Sequence, residues 1–395
     1  MRDNPFCPSF SLSPEQFFGR VRYLDRFESA LANPSSPERY LVLTGTRGCG
    51  KTSLLHQYAL RAKRLGMDVV ESTGTDALAQ LKAYAGLGRG TVITRSLKPS
   101  ISVTGIGGAS LGEVTQSVTA DGLGEDERDQ LLSNCLSATL SKLSHRRGLL
   151  LTIDEVQKIA EDDMVIIANA VQFAITKGYP IALVLAGLPS AYRRLRRFKR
   201  CTFLHRMRHE RLWCMDIDET LGFLRSRLAR AQGLALTDDQ VFELGEFSGG
   251  HPYLMQLVGY HLCELFGNEA MVLPGMRADV EEDMLEHAKL LALRDYKENV
   301  LDNVLSGTRQ ATRAYIRTAY EVRQSDGEIR IRDINARFGK SGKEMAGTRT
   351  YALDTQVLRR AGSLTLRFAL PHYRYLFEEM RPLVDEMPAP REWQY

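Results

Sequence analysis

Eight consecutive residues, Gly45-Thr46-Arg47-Gly48-Cys49-Gly50-Lys51-Thr52, constrain this chain more than any other stretch, because they fit the pattern G-x-x-x-x-G-K-[ST] without a gap. Before them, Tyr40-Leu41-Val42-Leu43-Thr44 is a short apolar run suited to a buried strand, and from Ser53 to Ala62 the spacing is helical. In a strand, glycine-rich turn and helix, the backbone N–H groups of the turn wrap phosphate oxygens and the helix dipole favours negative charge. Gly45, Gly48 and Gly50 permit close backbone approach. Lys51 is placed to reach the β and γ phosphates as a point charge and the Thr52 hydroxyl to hold Mg²⁺. Thr46, Arg47, Cys49 and Ser53 complete the expected binding loop. A chance glycine-rich turn is the alternative, and the flanks argue against it.

The second half of such a site is an acidic residue at the end of a buried strand. Leu149-Leu150-Leu151-Thr152-Ile153-Asp154-Glu155 supplies it. Asp154 is the expected metal ligand, directly or through water, and Glu155 is placed to polarise the attacking water. Alone, an apolar strand ending in Asp-Glu equally reads as a helix cap with an acidic first turn. The preceding loop favours the metal reading.

A chain of 395 residues has room for two or three domains and a sizeable core. No run of about 18 apolar residues and no basic-then-apolar leader is visible, so a cytoplasmic protein is expected. The six cysteines are scattered without zinc spacing and read as reduced thiols. The net charge of +4 is uninformative, but residues 309–374 hold 14 Lys+Arg against 6 Asp+Glu, so a polyanion such as DNA is expected to meet this part.

Residues 1–16 are polar, offer little to bury and are expected along the surface. Phe17-Phe18-Gly19-Arg20 then precedes the phosphate loop by some 25 residues. Two apolar residues followed by Gly-Arg at this place resemble the adenine-pocket box of AAA+ and related STAND ATPases, which implies that Phe18, Gly19 and Arg20 contact the base. A strand is expected over Asp68 to Glu71, a β-hairpin insert over Gly86 to Gly112, a helix over Asp126 to Leu143, another over Met164 to Lys177, and a buried strand over Ile181 to Gly187. AAA+ proteins usually place a polar sensor at the end of that last strand. Here it is absent or displaced to Ser190.

Phe203-Leu204-His205-Arg206 resembles the segment carrying the arginine finger, which implies a role for Arg206 toward a neighbouring subunit of a homo-oligomer. A solvated basic loop, or pairing with Asp216-Ile217-Asp218-Glu219, is the other reading. Asp218 to Leu262 reads as all-helical, with a capping box at Thr237 and Gln240. Ser248-Gly249-Gly250-His251-Pro252 resembles the Gly-x-Pro motif of STAND-type lids, which implies that Pro252 lies at the nucleotide and that the lid reads it through backbone and His251. Pro252 is also ordinary helix-start chemistry.

Asp279 to Asn303 reads as a charged helical linker. Helices over Thr312 to Val322, Ile331 to Gly339 and Arg349 to Arg360, followed by a strand over Ser363 to Leu370, resemble a winged helix. The chain is thus similar to AAA-type ATPases of the origin-recognition-like and STAND-like group over about 17–380. The resemblance implies an α/β fold: a P-loop NTPase αβα parallel sheet in 1–214, a helical lid in 215–290, and a linker helix with a C-terminal winged-helix domain in 291–395. It implies ATP and Mg²⁺ as ligands and a switch that couples nucleotide hydrolysis to DNA. The alternative is a signalling or defence ATPase whose winged helix grips a protein. ATP is expected over GTP because no guanine-binding Lys-x-Asp motif is visible.

Overall fold

The computed structural model describes residues 4–8, 17–85, 93–95, 101–103, 148–198, 200–269, 277–370 and 372–373. The chain forms two compact units, one of Arg20–Gly45 and Lys51–Leu212, the other of Met1–Gly19, Thr46–Gly50 and Trp213–Tyr395.

The first unit is built on a five-stranded sheet of order β2-β5-β6-β1-β7 in which every neighbouring pair is parallel. Its strands are β1 (Tyr40–Thr44), β2 (Asp68–Thr73), β5 (Leu149–Asp154), β6 (Ile181–Gly187) and β7 (Arg208–Arg211). β5 and β6 are continuous apolar runs buried along almost their whole length, as a parallel sheet covered on both faces requires. Its helices are α1 (Val21–Ala32), α2 (Lys51–Arg64), α3 (Ala77–Tyr84), α4 (Glu161–Thr176), α5 (Pro189–Leu195) and the single turn α6 (Phe203–Arg206). α2 packs on β2, β5 and β6, and is tied to α1 by the Phe27–Tyr58 ring stack, 4.0 Å between centroids. Within the expected hairpin insert, β3 (Ile93–Arg95) pairs antiparallel with β4 (Ile101–Val103). The helix expected over Asp126 to Leu143 lies outside the described residues.

The second unit carries α7 (Ile217–Leu228), α8 (Asp238–Ser248), α9 (Pro252–Glu269), α10 (Glu282–Tyr296) and α11 (Asp302–Ser306), with a π-helical turn over Lys297–Leu301. Thr237 and Gln240 form the expected reciprocal capping box at the start of α8. The segment read as all-helical is interrupted by β8 (Leu234–Ala235), which pairs parallel with β9 (Ala278–Asp279). The expected charged linker is a core helix. Leu285, Ala288, Ala292, Leu293 and Tyr296 recur at helical spacing and are buried, and of the charged residues Lys289 is buried with them, paired with Glu243 and Glu286.

The chain then continues through α12 (Gln310–Glu321), β10 (Ile329–Arg330), α13 (Ile331–Phe338), α14 (Ala346–Asp354), β11 (Leu358–Arg360) and β12 (Thr365–Phe368). The three strands form an antiparallel sheet of order β10-β12-β11. The helix expected over Arg349 to Arg360 therefore ends early. Gln356 turns into the left-handed region at φ 62°, and Leu358 to Arg360 leave as a strand that pairs with β12.

The amino-terminal residues also depart from expectation. Phe6 is 2% exposed and packs edge-on to Phe223, with centroids 6.1 Å apart. Asn4 Nδ2 donates to the Tyr260 carbonyl at 3.1 Å and the Cys7 N–H to Gln256 Oε1 at 2.9 Å, so the segment is fastened to α9. Gly259 makes the seat, since a Cβ there would lie 2.2 Å from Phe6 Cε1. Gly259→Ala is expected to cost about 1–3 kcal/mol by overpacking. In a double-mutant cycle by urea unfolding, Phe6→Ala should absorb most of that penalty. Strictly additive losses would mean that the ring is not seated on α9.

Candidate nucleotide site

The carboxyl ends of β1, β5 and β6 gather the sequence-predicted residues of the first unit. Lys51 and Thr52 open α2, and Ser53 follows half-buried. Lys51 Nζ donates to the Gly45 carbonyl at 3.0 Å, and the Gly45 N–H donates to the Gly187 carbonyl at 3.3 Å. Thr52 Oγ1 lies 2.5 Å from Asp154 Oδ2, although the two residues are 102 apart in the chain. A hydroxyl and a carboxylate oxygen brought together make an all-oxygen donor pair of the kind that suits Mg²⁺. The residues therefore fit the ion.

Glu155 follows in the left-handed region at φ 50° and ψ 38°. Its N–H donates to Asp154 Oδ1 at 2.7 Å, which orients the aspartate, and its own carboxylate pairs with Lys158 Nζ at 2.9 Å. The 3₁₀ turn that follows, Val156–Lys158, is held from several sides. Arg194 Nη1 donates to the Gln157 carbonyl at 2.5 Å and Nη2 to the Ile159 carbonyl at 2.7 Å. Gln157 Oε1 accepts the Leu188 N–H at 3.2 Å. Gly74 and Gly187 leave the room: a Cβ on Gly74 would stand 2.6 Å from the Glu155 carbonyl oxygen, and one on Gly187 would stand 2.6 Å from Gln157 Oε1.

Residues Thr46–Gly50 belong to the second unit, where they rest on the start of α9. His251, fully buried, donates from Nε2 to the Arg47 carbonyl at 3.0 Å, and the Tyr253 N–H donates to the Gly48 carbonyl at 3.2 Å. Two outward carbonyls are thereby engaged. This leaves the opposite, N–H side of the loop for an anion, the arrangement a phosphate cradle needs. Gly48 at φ 75° and Gly50 at φ 90° supply the turn, and a Cβ on Gly48 would lie 2.8 Å from both His251 Cε1 and Tyr253 Cβ. Cys49 is buried. His251 thus supports the loop from the lid side, with its ring enclosed by Tyr296 and His372. Burial, with His251 beside it, holds the His372 pKa well below its ordinary value, so that this ring is neutral.

Pro252 occupies the first turn of α9, as expected. Phe18 packs edge-on to Phe223 at 5.9 Å, and Gly19 at φ 68° faces the Met215 side chain. Arg20, in the first unit, is buried at φ 59° with its guanidinium 5.7 Å from the Tyr23 ring centroid. Arg206 closes α6 and is exposed. Ser190 is exposed in the first turn of α5. Of the other arginines in this basic stretch, Arg200 pairs with Asp162, and Arg208 pairs with Glu38 at 2.7 Å. Sequence reasoning missed Gln157, Lys158, Arg194 and Tyr253, since only the folded turn tells which of many polar residues near Asp154 or Gly48 meet the backbone.

A phosphate-loop sequence after the first strand of a parallel sheet, and an Asp-Glu pair at the end of β5 with β6 between the two strands, define a P-loop nucleoside-triphosphatase fold. Residues 16–184 match the AAA ATPase domain family, and this part of the chain is an AAA-type ATPase domain. No curated protein sequence matches the chain. Among solved structures, a Walker-type ATPase of Pyrococcus abyssi is 13% identical with a TM-score of 0.58, covering 94% of this chain and 99% of that one. The Aeropyrum pernix ORC2 protein, in ADPNP–ADP complexes, is 14% identical with a TM-score of 0.59 over 96% and 97% of the two chains. At these identities the likeness establishes the fold. Among the described residues no helix is long and apolar enough to cross a membrane.

Proposed function

We propose that the chain is an ATP-binding, Mg²⁺-dependent ATPase switch that couples its nucleotide state to DNA through the C-terminal module, read as a winged helix. The observation that carries the catalytic half is the meeting of Thr52 with Asp154 beside Lys51 and Glu155. Thr52 and Asp154 would hold Mg²⁺, which neutralises phosphate charge when bound. Lys51 binds the terminal phosphates, Glu155 takes a proton from the attacking water, and Arg206 serves a neighbouring subunit. The complexes of the Aeropyrum pernix ORC2 protein with ADPNP and ADP support an adenine nucleotide as ligand.

The DNA half is carried by charge. Helices α12 to α14 and the β10-β12-β11 sheet occupy the stretch with 14 Lys+Arg against 6 Asp+Glu, and Lys343, Arg359 and Arg360 are among its exposed residues. A protein partner is the second reading, favoured by Leu364, which is 73% exposed between β11 and β12. Turnover of ATP by the purified chain, with and without duplex DNA and beside Lys51→Ala, tests both. Stimulation by DNA that weakens steeply with salt and disappears in Lys51→Ala is expected. Turnover indifferent to DNA would remove the nucleic-acid reading and turn attention to Leu364.

A further inference from the structure

Two separate stretches of the second unit meet on one ring. Phe223, on α7, packs edge-on with Phe6 at a centroid separation of 6.1 Å and an interplanar angle of 75°, and edge-on with Phe18 at 5.9 Å and 68°. In such pairs the positive rim of one ring meets the negative face of the other, an attraction that depends on angle and so fixes orientation as well as distance. Phe6 and Phe223 are buried, whereas Phe18 is half-buried, so packing leaves part of its ring accessible.

The Phe6 side of this stack is anchored. Asn4 Nδ2 donates to the Tyr260 carbonyl at 3.1 Å and to Glu264 Oε1 at 2.9 Å, and the Cys7 N–H donates to Gln256 Oε1 at 2.9 Å, so both flanks of Phe6 are pinned to α9. With the ring seated at Gly259, Phe223 has no vacant volume to turn into on that side. The Phe18 side leads to the phosphate loop. A Cβ on Gly222 would lie 3.3 Å from Phe18 Cζ, and one on Gly19 would lie 2.5 Å from Met215 Cε. The Met215 N–H donates to the Gly250 carbonyl at 2.8 Å, and the residues that follow, His251 and Tyr253, engage the Arg47 and Gly48 carbonyls. The turn over 250–253 therefore fastens the phosphate loop on one side and, through Met215, the Phe18-Gly19 stretch on the other.

Resting on the ATP-binding reading above, with Phe18 as a contact of the base, we infer that Phe6 is a positioning residue for the nucleotide: through Phe223 it sets the angle at which the Phe18 ring meets adenine. The amino-terminal segment then belongs to the machinery of base recognition. Its effect is confined to the base, because the supports of the phosphate loop, His251 and Tyr253, come from the start of α9 and not from Phe6.

The test uses Phe6→Leu, Phe6→Ala and, beside them, Phe18→Ala in the full chain, at a temperature where circular dichroism shows each variant folded. Leucine keeps apolar volume in the seat and removes the ring edge, so it perturbs the fold least. Calorimetry with Mg²⁺ measures the affinity for ADP, for a non-hydrolysable ATP analogue, and for inorganic triphosphate, which offers phosphate oxygens but no base. ADP and the analogue are expected to bind more weakly by the same factor, about threefold in Phe6→Leu and about tenfold in Phe6→Ala, with triphosphate held within about twofold. Equal loss of all three ligands overturns the inference, because that reports a loosened fold rather than a misplaced ring. Parent-like ADP affinity in Phe6→Leu and Phe6→Ala, with a loss in Phe18→Ala, overturns it too and leaves Phe18 as a base contact. Parent-like affinity in Phe18→Ala removes that contact, and a parent chain whose nucleotide binding is indifferent to Lys51→Ala removes the ATP reading; either takes this inference with it.

Discussion

Glu155→Gln is expected to lower ATP turnover by about 10²- to 10⁴-fold while leaving nucleotide binding in place. The substitution keeps the size and planarity of the side chain and removes only its ability to take a proton. The local fold should tolerate it, because the Glu155 N–H that orients Asp154 Oδ1 at 2.7 Å is a backbone group. Thr52 and Asp154 keep their contact, so the metal pair is untouched. The ion pair with Lys158 would be lost, but both partners are well exposed, with side-chain exposures of 41% and 57%, and such pairs are worth roughly 0–1 kcal/mol. Steady-state turnover beside the binding of a fluorescent ATP analogue separates the two effects. Unchanged turnover would remove Glu155 from the chemistry and leave the chain a nucleotide-gated scaffold.

Stability should respond most to Gly250→Ala, with an expected loss of about 3–5 kcal/mol. Two costs combine at this residue. Its φ of +68° lies in the left-handed region, which an alanine adopts at about 1–2 kcal/mol. A Cβ there would also stand 2.1 Å from the Met215 carbonyl oxygen, which is backbone and has no rotamer to escape into. Relief would require breaking the Met215 N–H bond to the Gly250 carbonyl, 2.8 Å long, and shifting the residue before His251. Urea unfolding followed by circular dichroism should show an earlier midpoint. Nucleotide affinity should fall with it, since His251 holds the Arg47 carbonyl of the phosphate loop. A variant as stable as the parent would contradict the packing of Gly250 on Met215.

The legible parts of this fold were those in which one local signal sufficed. β6 was readable residue by residue because an unbroken apolar run from Ile181 to Ala186 ends in glycine and is preceded by Pro180. The phosphate loop was readable because its glycines and Lys51 are adjacent in the chain. Failures came where distant residues decide. Leu358 could continue a helix or begin a strand, and its pairing with Phe368 settles the choice. Phe6 stands alone in a polar segment, and its burial depends on a glycine some 250 residues away. The charges of α10 concealed a core face at spacing 285, 288, 292 and 296. In the site, the acidic pair was visible but the left-handed turn at Glu155 and the insertion of Gln157 beside Gly187 were not, because both follow from how β2, β5 and β6 end side by side.

The order of the sheet leaves β7 as an outer strand, with Arg208, His209, Glu210 and Arg211 as its whole length. Arg208 and Glu210 are already spoken for by Glu38 and Arg26, the latter gripping Glu38 through both Nε and Nη2. A foreign strand laid along this edge would have to desolvate four ionisable side chains to gain a few backbone bonds. The rim thus works as a guard against amyloid-like stacking of the sheet. Copies of this chain that come together must do so through side-chain surfaces rather than by extending the sheet at β7.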